Sequence, residues 1–372
     1  MEKIYFSMQA KVYFETGGLE KYLPETGDYG KKILIVSGRR SVFMSGLYDR
    51  ISRMLSEQAI KHVSYHDVSP EPDTGDVERG AQLCRKEGCD CILAVGGGSA
   101  MDAGKAIAVL AANGGSIRDY FGEMEYRNEP LPVVVVPTTC GTGSEVTRFA
   151  VIVDREERTK KTVSSEKIIP KMSILDAELL ETLPENLVMA TGMDALSHSA
   201  ESFLSTRSDY FSRMYAKNSL SLLWKFLPAA HRERKDIDVR EKIFLASLIA
   251  GFALNRTGTI IVHGMGYSLT MKHNVHHGTA NAVLLPYVLE YLKENGYTEE
   301  ISELEEIWGD TEKLKDFVSS LGLPSTLKEA GACEKDIEEL ADLSVVGTQR
   351  SLKNMKIGMS REDFKKILQS AI

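Results

Sequence analysis

The residues best suited to chemistry lie in one histidine-rich stretch, residues 262–278, which reads V-H-G-M-G-Y-S-L-T-M-K-H-N-V-H-H-G. It contains four of the chain's eight histidines, His263, His273, His276 and His277. Earlier in the chain, the segment T-G-M-D-A-L-S-H places Asp194 four residues before His198. On a helix this spacing sets both side chains on one face, close enough to share an ion. A carboxylate with several imidazoles suits a divalent first-row metal, although a histidine cluster alone is equally typical of a protein surface.

Three motifs around these residues resemble those of one enzyme family. D-A-L-x-H is followed by H-G-M-G with a second histidine fourteen residues on, and then by H-G-x-x-N-A. This set resembles the iron-containing (group III) alcohol dehydrogenase family, in which one aspartate and three histidines hold the metal. The resemblance implies that the metal ligands are Asp194, His198, His263 and His277. The family's fourteen-residue spacing from His263 selects His277 over its neighbour His276.

Composition and charge limit the possible classes of function. A chain of 372 residues is too long for one typical core and suggests two domains. Its net charge is −8 with scattered acids and no basic block, so a nucleic-acid partner is not expected. Five cysteines without a C-x-x-C pair fit a reducing, cytoplasmic compartment. The amino terminus lacks the apolar core of an export signal, and no apolar run approaches about eighteen residues, so no export or membrane role is expected.

From residue 31 onward, short apolar runs alternate with amphipathic stretches. The predicted strands are Lys32–Val36, His62–Val68, Cys89–Val95 and Leu131–Pro137. The predicted helices are Gly46–Ala59, Asp73–Glu87 and Ala100–Ala112, and residues 149–163 read as a hairpin. This alternation predicts a largely parallel sheet in a Rossmann-like α/β domain, in which ligands bind beyond the carboxyl ends of the strands.

Glycines at a junction between strand and helix form the first candidate nucleotide site. After Val95 the chain reads G-G-G-S-A-M-D-A-G-K. Such a turn lets the backbone approach a pyrophosphate, whose charge is favoured at a helix N-terminus, but it is equally consistent with a plain tight turn. G-G-G-S-x-x-D-x-x-K resembles the family pattern, which implies cofactor contacts by Gly97, Gly98, Ser99 and Asp102. Lys105 is equally consistent with a structural ion pair.

A second loop follows the valine-rich strand and reads P-T-T-C-G-T-G-S-E from residue 137. Small hydroxyl residues interleaved with glycine offer donors to phosphate or ribose oxygens, although a flexible loop has the same composition. The sequence resembles P-T-T-x-G-T-G-S-E, one of the more specific signatures of the family, which implies cofactor contacts by Thr138, Thr139 and Thr142. Cys140 reads as a small packed side chain rather than a nucleophile. Lys160 aligns with a family lysine near the cofactor, and a one-residue slip in this alignment stays open.

The end of the first predicted strand bears on the choice of dinucleotide. In Rossmann-like sites an acid at the end of the second strand binds the adenosine ribose hydroxyls and disfavours a 2′-phosphate. The resemblance places the equivalent position after Val36, where the chain reads S-G-R-R-S and has no acid. Arginine offers bidentate contacts to phosphate, so Gly38, Arg39 and Ser41 are expected to bind the adenosine end of NADP(H). Solvated loop arginines, with NAD(H) as the cofactor, are the alternative.

Beyond residue 184, glycine and proline thin out and helical periodicity takes over. The predicted helices are Glu185–Leu204, Tyr210–Leu222, Arg240–Leu254, Ile260–Thr270, Ala280–Glu294 and Thr311–Leu321, with further helices in the last fifty residues. We therefore expect a dinucleotide-binding domain over residues 1–184 and an all-α metal-binding domain over residues 185–372. The resemblance implies the fold shared by the iron-containing alcohol dehydrogenases and dehydroquinate synthase.

The activity implied by the resemblance is that of a metal-dependent alcohol dehydrogenase, which transfers a hydride between NADP(H) and a small alcohol or aldehyde. The implied metal is Fe²⁺, with Zn²⁺ as the alternative, and it would act as a Lewis acid on the substrate oxygen. A homodimer is expected. Many members carry a histidine four residues after the third ligand, where this chain has Tyr267. Tyr267 and His273 are therefore the candidates for the proton relay.

Three other functions share parts of this pattern. Polyol dehydrogenases resembling glycerol dehydrogenase bind zinc on the same fold but typically lack a histidine at the place of His198. A lyase of the dehydroquinate synthase type would need a basic cluster in the helical half for its substrate phosphate, and the sequence has none there. A metal- or nucleotide-binding module without activity would leave the coincidence of three motifs unexplained.

Overall fold

The computed structural model describes residues 9–157, 159–233 and 235–372, and the chain divides into two compact units. Among the described residues, 9–139 and 144–183 form an α/β unit, whereas 140–143 and 184–372 form a helical unit. The predicted fold class, an α/β part followed by an all-α part, is confirmed.

The α/β unit is built on parallel strands. In chain order the strands are β1 (Lys11–Phe14), β2 (Lys32–Gly38), β3 (Lys61–Val68), β4 (Cys91–Gly96), β5 (Gly122–Glu123), β6 (Val133–Pro137), β7 (Phe149–Asp154), β8 (Thr159–Ser164) and β9 (Met172–Leu175). One parallel sheet has the order β1-β9-β6-β4-β2-β3. β4 and β6 are buried at every residue, because a parallel sheet covered on both faces requires continuous apolar runs such as C-I-L-A-V-G and V-V-V-V-P.

Helices connect these strands and cover the sheet. They are α1 (Gly18–Tyr22), α2 (Ser41–Met44), α3 (Leu47–Glu57), α4 (Thr74–Glu87) and α5 (Gly98–Asn113). Successive residues of a strand point to opposite faces. Leu34 and Val36 accordingly belong to the apolar cluster of α4 and α5, whereas Ile33 and Ile35 belong to the cluster of α1 and α3. Because the strands are parallel, their carboxyl ends meet at one edge of the sheet.

The strands and helices predicted in this half are present, and their ends shift by a few residues at most. The sequence pattern does not predict β1, β5 or β9, because runs of two to four residues carry too little alternation to be recognised. β7 and β8 form the expected antiparallel hairpin, and together with β5 they make a second, smaller sheet. Arg158 in the predicted hairpin turn lies outside the described residues.

The helical unit contains no strand among its described residues. Its helices are α6 (Glu185–Leu204), α7 (Tyr210–Arg232), α8 (Ile237–Thr257), α9 (Ile261–His273), α10 (His277–Glu294), α11 (Thr298–Trp308), α12 (Thr311–Ser320), α13 (Ile337–Thr348) and α14 (Arg361–Ser370). α6 has the predicted bounds. α7 continues past the predicted end at Leu222 as far as Arg232, and Pro228, which removes one backbone hydrogen bond, does not end it. α11 is not among the predicted helices.

α6 lies at the centre of the helical unit. All of its residues from Val188 to Leu204 are buried. A helix buried on all sides must be surrounded by other elements. Its polar side chains Asp194, His198 and Glu201 are therefore held inside the protein, where each needs a partner.

Among the described residues, no single helix has both the length and the apolar composition needed to cross a membrane. α8 and α9, which meet at an angle of 108°, pass such a test only when taken together.

Candidate active site

Three side chains from three helices of the helical unit converge on one buried point. Asp194 lies in the middle of α6, His263 near the start of α9 and His277 at the first residue of α10. The Oδ1 atom of Asp194 is 3.3 Å from His263 Nε2 and 3.7 Å from His277 Nε2. The possible ligand atoms all lie within 4.8 Å of one another. His263 Nε2 is buried and has no hydrogen-bond partner in the described part of the chain. One carboxylate and two imidazoles in this arrangement fit a divalent first-row metal.

His198 stands beside this set. Its ring stacks on that of His263, with centroids 4.3 Å apart and an angle of 24° between the planes. Its Nδ1 donates to the carbonyl of Gly141 at 3.2 Å. A metal-ligating histidine commonly donates its other ring N–H in this way, which fixes the tautomer and directs Nε2 to the metal. The three converging donors are thus Asp194, His263 and His277, and His198 is the adjacent fourth candidate.

Glu201 is a buried carboxylate that the sequence reasoning missed. It accepts hydrogen bonds from His263 Nδ1 and from the backbone N–H of Val262, the latter at 2.7 Å. A carboxylate behind a histidine sets the ring orientation and makes Nε2 the nitrogen available to a metal. The sequence does contain a signal for Glu201. It follows Asp194 by seven residues, or two helical turns, so both side chains lie on the same face of α6.

Asn281 is a second missed residue, although it belongs to the H-G-x-x-N-A motif. It lies fully buried, one turn after His277 on α10. Its side-chain amide donates to Asp194 Oδ1 at 2.9 Å and faces His277 Nε2 at 3.2 Å. Asn281 therefore holds two of the converging donors. A Cβ atom at Gly266 would lie 2.2 Å from Asn281 Oδ1, so the second glycine of H-G-M-G provides the space for this side chain.

The protonation of these groups follows from burial and from the neighbouring charges. Burial lowers the pKa of His198 to about 4, against a smaller opposing effect of Asp194. Burial also lowers the pKa of His263, but the carboxylates of Glu201 and Asp194 outweigh it and raise the value to about 9. Burial raises the pKa of Asp194, whereas the surrounding histidines hold it well below its ordinary value. The two carboxylates therefore favour the protonated form of His263, and a metal that binds through this ring displaces that proton.

Tyr267 and His273, the two candidates for proton transfer, occupy different surroundings. Tyr267 is one turn after His263 on α9, and its ring stacks on His277 with centroids 4.7 Å apart. His273 is the last residue of α9, with Nε2 3.5 Å from Asp336 Oδ2. The structure therefore brings Tyr267 to the converging donors and places His273 beside an acid near the start of α13. His276, the neighbour of His277, is exposed.

In the α/β unit, two of the predicted cofactor loops meet at the carboxyl edge of the sheet. β4 ends at Gly96, and α5 begins at Gly98 directly after the turn. The backbone N–H of Thr138, in the loop after β6, donates to the carbonyl of Gly96 at 2.9 Å. A Cβ atom at Gly97 would lie 3.1 Å from the methyl group of Thr139. The glycine turn and the threonine loop are thus packed together at the start of a sixteen-residue helix.

Lys105 is a structural residue of this unit. Its ammonium group is fully buried and donates to Ser144 Oγ at 2.7 Å and to the carbonyls of Thr147 and Phe149 at 3.0 Å. Asp102 accepts from Ser144 Oγ at 2.5 Å and from the backbone N–H of Val151 at 2.9 Å. Burial lowers the pKa of Lys105 to about 8. Both carboxylate oxygens of Asp102 are engaged within the unit.

Residues 140–143 of the threonine loop pack with the helical unit. Cys140 is buried, with Sγ 3.6 Å from the hydroxyl of Thr191. A Cβ atom at Gly141 would lie 2.5 Å from the carbonyl oxygen of Thr191. Thr142 belongs to this segment, whereas Thr138 and Thr139 belong to the α/β unit. The glycine of T-C-G-T is therefore required by close packing against α6.

The remaining predicted cofactor residues are spread along the same unit. Lys160 of β8 places Nζ 2.6 Å from Glu71, with a side chain only 5% exposed, whereas its neighbour Lys161 pairs with Glu157. Ser99 donates its hydroxyl hydrogen to the carbonyl of Pro70.

The residues after β2 lie next to an acid that was not considered in the sequence-based prediction of the dinucleotide. Gly38, Arg39 and Ser41 lie at the end of β2 and the start of α2. Arg39 and Ser41 are exposed. Arg39 Nε is 2.6 Å from Oδ1 of Asp67, a residue of β3. The chain has no acid directly after Val36, but the neighbouring strand brings one to the same place.

The chain belongs to the iron-containing alcohol dehydrogenase family. Residues 9–177 match the family profile described as iron-containing alcohol dehydrogenase, and residues 188–372 match the profile of the Fe-containing alcohol dehydrogenase family, C-terminal. The family predicted from the motifs is thereby confirmed.

Individual relatives extend over most of the chain. An NAD-dependent methanol dehydrogenase from Bacillus methanolicus is 33% identical over 84% of this chain and 85% of its own length. An NADPH-dependent butanol dehydrogenase from Clostridium saccharobutylicum is 29% identical over 98% of this chain and 97% of its own length. Among solved structures, an alcohol dehydrogenase from Oenococcus oeni is similar with a TM-score of 0.93, at 28% identity and with 100% of both chains covered.

Proposed function

We propose that this protein interconverts a small alcohol and its aldehyde by transferring a hydride between the substrate carbon and NADP(H). The observation that carries the proposal is the convergence of Asp194, His263 and His277 at one buried point, where His263 Nε2 lies 3.3 Å from Asp194 Oδ1 and has no hydrogen-bond partner among the described residues. With His198, these residues would hold a divalent ion. When bound, the ion supplies Lewis-acid polarisation of the substrate oxygen. Family membership favours Fe²⁺, and Zn²⁺ is the alternative for the same ligand set.

The protein side chains around this site orient the ligands and move a proton. Glu201 keeps the Nδ1 hydrogen of His263 in place, so that Nε2 faces Asp194. Tyr267 supplies the hydroxyl for proton exchange with the substrate oxygen. The stacking of its ring on His277 supports this role, because it places Tyr267 next to the converging donors. His273 is the second candidate, acting from its position beside Asp336.

We assign the dinucleotide to the carboxyl edge of the sheet, in a dinucleotide-binding domain of residues 1–184 that precedes a metal-binding domain of residues 185–372. The start of α5 would favour a pyrophosphate, because the backbone N–H groups and the positive end of the dipole of a sixteen-residue helix lie there. The residues proposed to contact the cofactor are Gly38, Arg39, Ser41, Gly97, Gly98, Ser99, Asp102, Thr138, Thr139, Thr142 and Lys160.

The proposed preference for NADP(H) rests on Arg39, which is exposed after β2 and can bind a 2′-phosphate. The two relatives named above differ in this respect, since one is named NAD-dependent and the other NADPH-dependent. NAD(H) is therefore the alternative within the same family.

We further propose a cytoplasmic homodimer. None of the five cysteines, all of which lie among the described residues, forms a disulfide, which supports a reducing compartment.

The test is a screen of short aliphatic alcohols and aldehydes followed by NADPH absorbance, with metal-free protein and with protein reloaded with Fe²⁺ or Zn²⁺. We expect turnover only after reloading. Asp194→Asn is the matched variant, because it keeps the side-chain shape and removes the charge, and it should stay inactive after reloading. Equal activity of the metal-free protein, or no turnover with either dinucleotide, would contradict the proposal.

A further inference from the structure

Arg39, the first residue after β2, shares an acid of the neighbouring strand with a second arginine. Its Nε atom is 2.6 Å from Asp67 Oδ1, and the two side chains are 56% and 51% exposed. Arg79 of α4 pairs with Asp76 at 2.6 Å and also approaches the carboxylate of Asp67, with Nη2 3.9 Å from Oδ2. One exposed carboxylate thus lies within reach of two guanidinium groups, and a ligand can reach all three from solvent.

The local backbone explains why Asp67 is at this place. Residues 36–38 of β2 pair with residues 65–68 of β3, so three residues face four. The extra residue forms a β-bulge, a feature that re-aims side chains at the ends of strands. It brings Asp67 level with the end of β2, where Arg39 leaves the sheet.

This pair lies on the same edge as the proposed phosphate turn. β2 is the neighbour of both β4 and β3, and in a parallel sheet the carboxyl ends of all three strands lie together. The loops are also in contact, because Ser99 after β4 donates to the carbonyl of Pro70 after β3. A dinucleotide with its pyrophosphate at the start of α5 would extend its adenosine across the ends of β2 and β3.

We propose that Asp67 determines cofactor specificity at the adenosine site by opposing Arg39. The inference rests on the dinucleotide binding proposed above. The carboxylate accepts hydrogen bonds from the free ribose hydroxyls of NAD(H) and repels the 2′-phosphate of NADP(H), whereas the guanidinium favours that phosphate. An exposed ion pair contributes little stability in water, so a cofactor separates the two groups easily. The balance between them sets a modest preference and lets the protein use both cofactors.

The test compares Asp67→Asn with the wild-type protein by the ratio of kcat/KM for NADPH to kcat/KM for NADH. We expect this ratio to rise at least about fivefold, because a like charge is removed from the 2′-phosphate and Arg39 is released. Arg39→Gln should lower the ratio by a similar factor. Glu87→Gln is the matched control, since Glu87 pairs at 3.0 Å with Lys32 at the start of the same strand, on the opposite edge of the sheet. The control should leave the ratio within about twofold of wild type.

An unchanged or lowered ratio in Asp67→Asn would overturn the role of Asp67. Binding of NADH and NADPH to the wild-type protein is measured separately by fluorescence titration. If neither binds, the proposed function itself is overturned. If at least one binds and Asp67→Asn changes both kcat/KM values equally, only the inference about Asp67 fails.

Discussion

At the residue scale, Glu201 decides which nitrogen of His263 faces the other donors. It is completely buried, and its carboxylate accepts from both the ring and the backbone next to it. A neutral side chain of the same shape would keep the space filled but would weaken both interactions, because hydrogen bonds to a charged acceptor are the stronger ones. The effect of Glu201 on a metal is therefore indirect, through the orientation of a ligand.

Glu201→Gln should lower the affinity for the bound metal by about 10–100-fold, as expected for the loss of a carboxylate behind a ligating histidine. The affinity is measured by competition with a chelator, and metal content by elemental analysis. Activity should return at saturating metal, which a direct catalytic role would not allow. Glu185→Gln at the start of α6 is the control, because Glu185 is partly exposed and forms an ion pair with His231 Nδ1 at 2.7 Å. Equal affinities of the two variants would refute the role.

His277→Ala should lose the bound metal and most turnover, because His277 is one of the three converging donors. His276→Ala should be mild, because that neighbouring side chain is exposed. Elemental analysis and steady-state rates of the two purified variants provide the comparison. Retention of full metal by the His277 variant, with loss in the His276 variant, would show that the assignment is off by one residue.

At the element scale, the position of His277 among the converging donors depends on how closely α10 approaches α6. A Cβ atom at Gly278 would lie 2.1 Å from the carbonyl oxygen of Ala190, far inside van der Waals contact with backbone. The histidine before it, His277, begins α10 at this contact. The glycine of H-H-G thus serves helix packing, and the packing in turn places the histidine.

Gly278→Ala should destabilise the protein by about 1–3 kcal/mol, because the new methyl group forces backbone apart in a packed interior. Urea unfolding followed by circular dichroism measures this change, and metal content should fall with it. Gly358→Ala is the control, since a Cβ atom there meets nothing within 4 Å. If both variants unfold at the same urea concentration, the close approach of the two helices is not limiting.

At the scale of the whole molecule, the proposed metal site and the proposed dinucleotide site belong to different units. The converging donors all belong to the helical unit, whereas the glycine turn and the end of β2 belong to the α/β unit.

Removal of the metal with a chelator should therefore abolish turnover. NADPH binding should stay within about threefold of the untreated value, because the exposed loops of the α/β unit do not contain the donors. Fluorescence titration and activity are measured on the same sample before and after reloading. Loss of NADPH binding on chelation, restored by metal, would contradict this separation.

The fold class, the family and most of the helices and strands could be predicted from local patterns in the sequence. Alternating apolar runs predicted the parallel sheet, and a long periodic segment predicted α6 with its observed bounds, because the periods of strands and helices are local properties of the chain. The placement of Asp194 and His198 on one face of a helix could be predicted in the same way, because it depends only on their spacing in the sequence. Short strands such as β1 and β9 were not predicted, because they form only when a neighbouring strand supplies the hydrogen bonds.

The contacts of Glu201, Asn281 and Asp67 could not be predicted in this way, because each of these residues meets its partner only in the folded protein. Glu201 meets the backbone of Val262 across 61 positions of sequence, and Asn281 meets Asp194 across 87. Asp67 reaches Arg39 from a different strand, through a bulge in their pairing. Contacts of this kind depend on the packing of elements that are distant in the chain, and a local pattern carries no record of which distant partner will lie beside it. The motifs in the sequence therefore point to the candidate ligands, whereas the packing of helices and strands brings Glu201 and Asn281 to those ligands and Asp67 to Arg39.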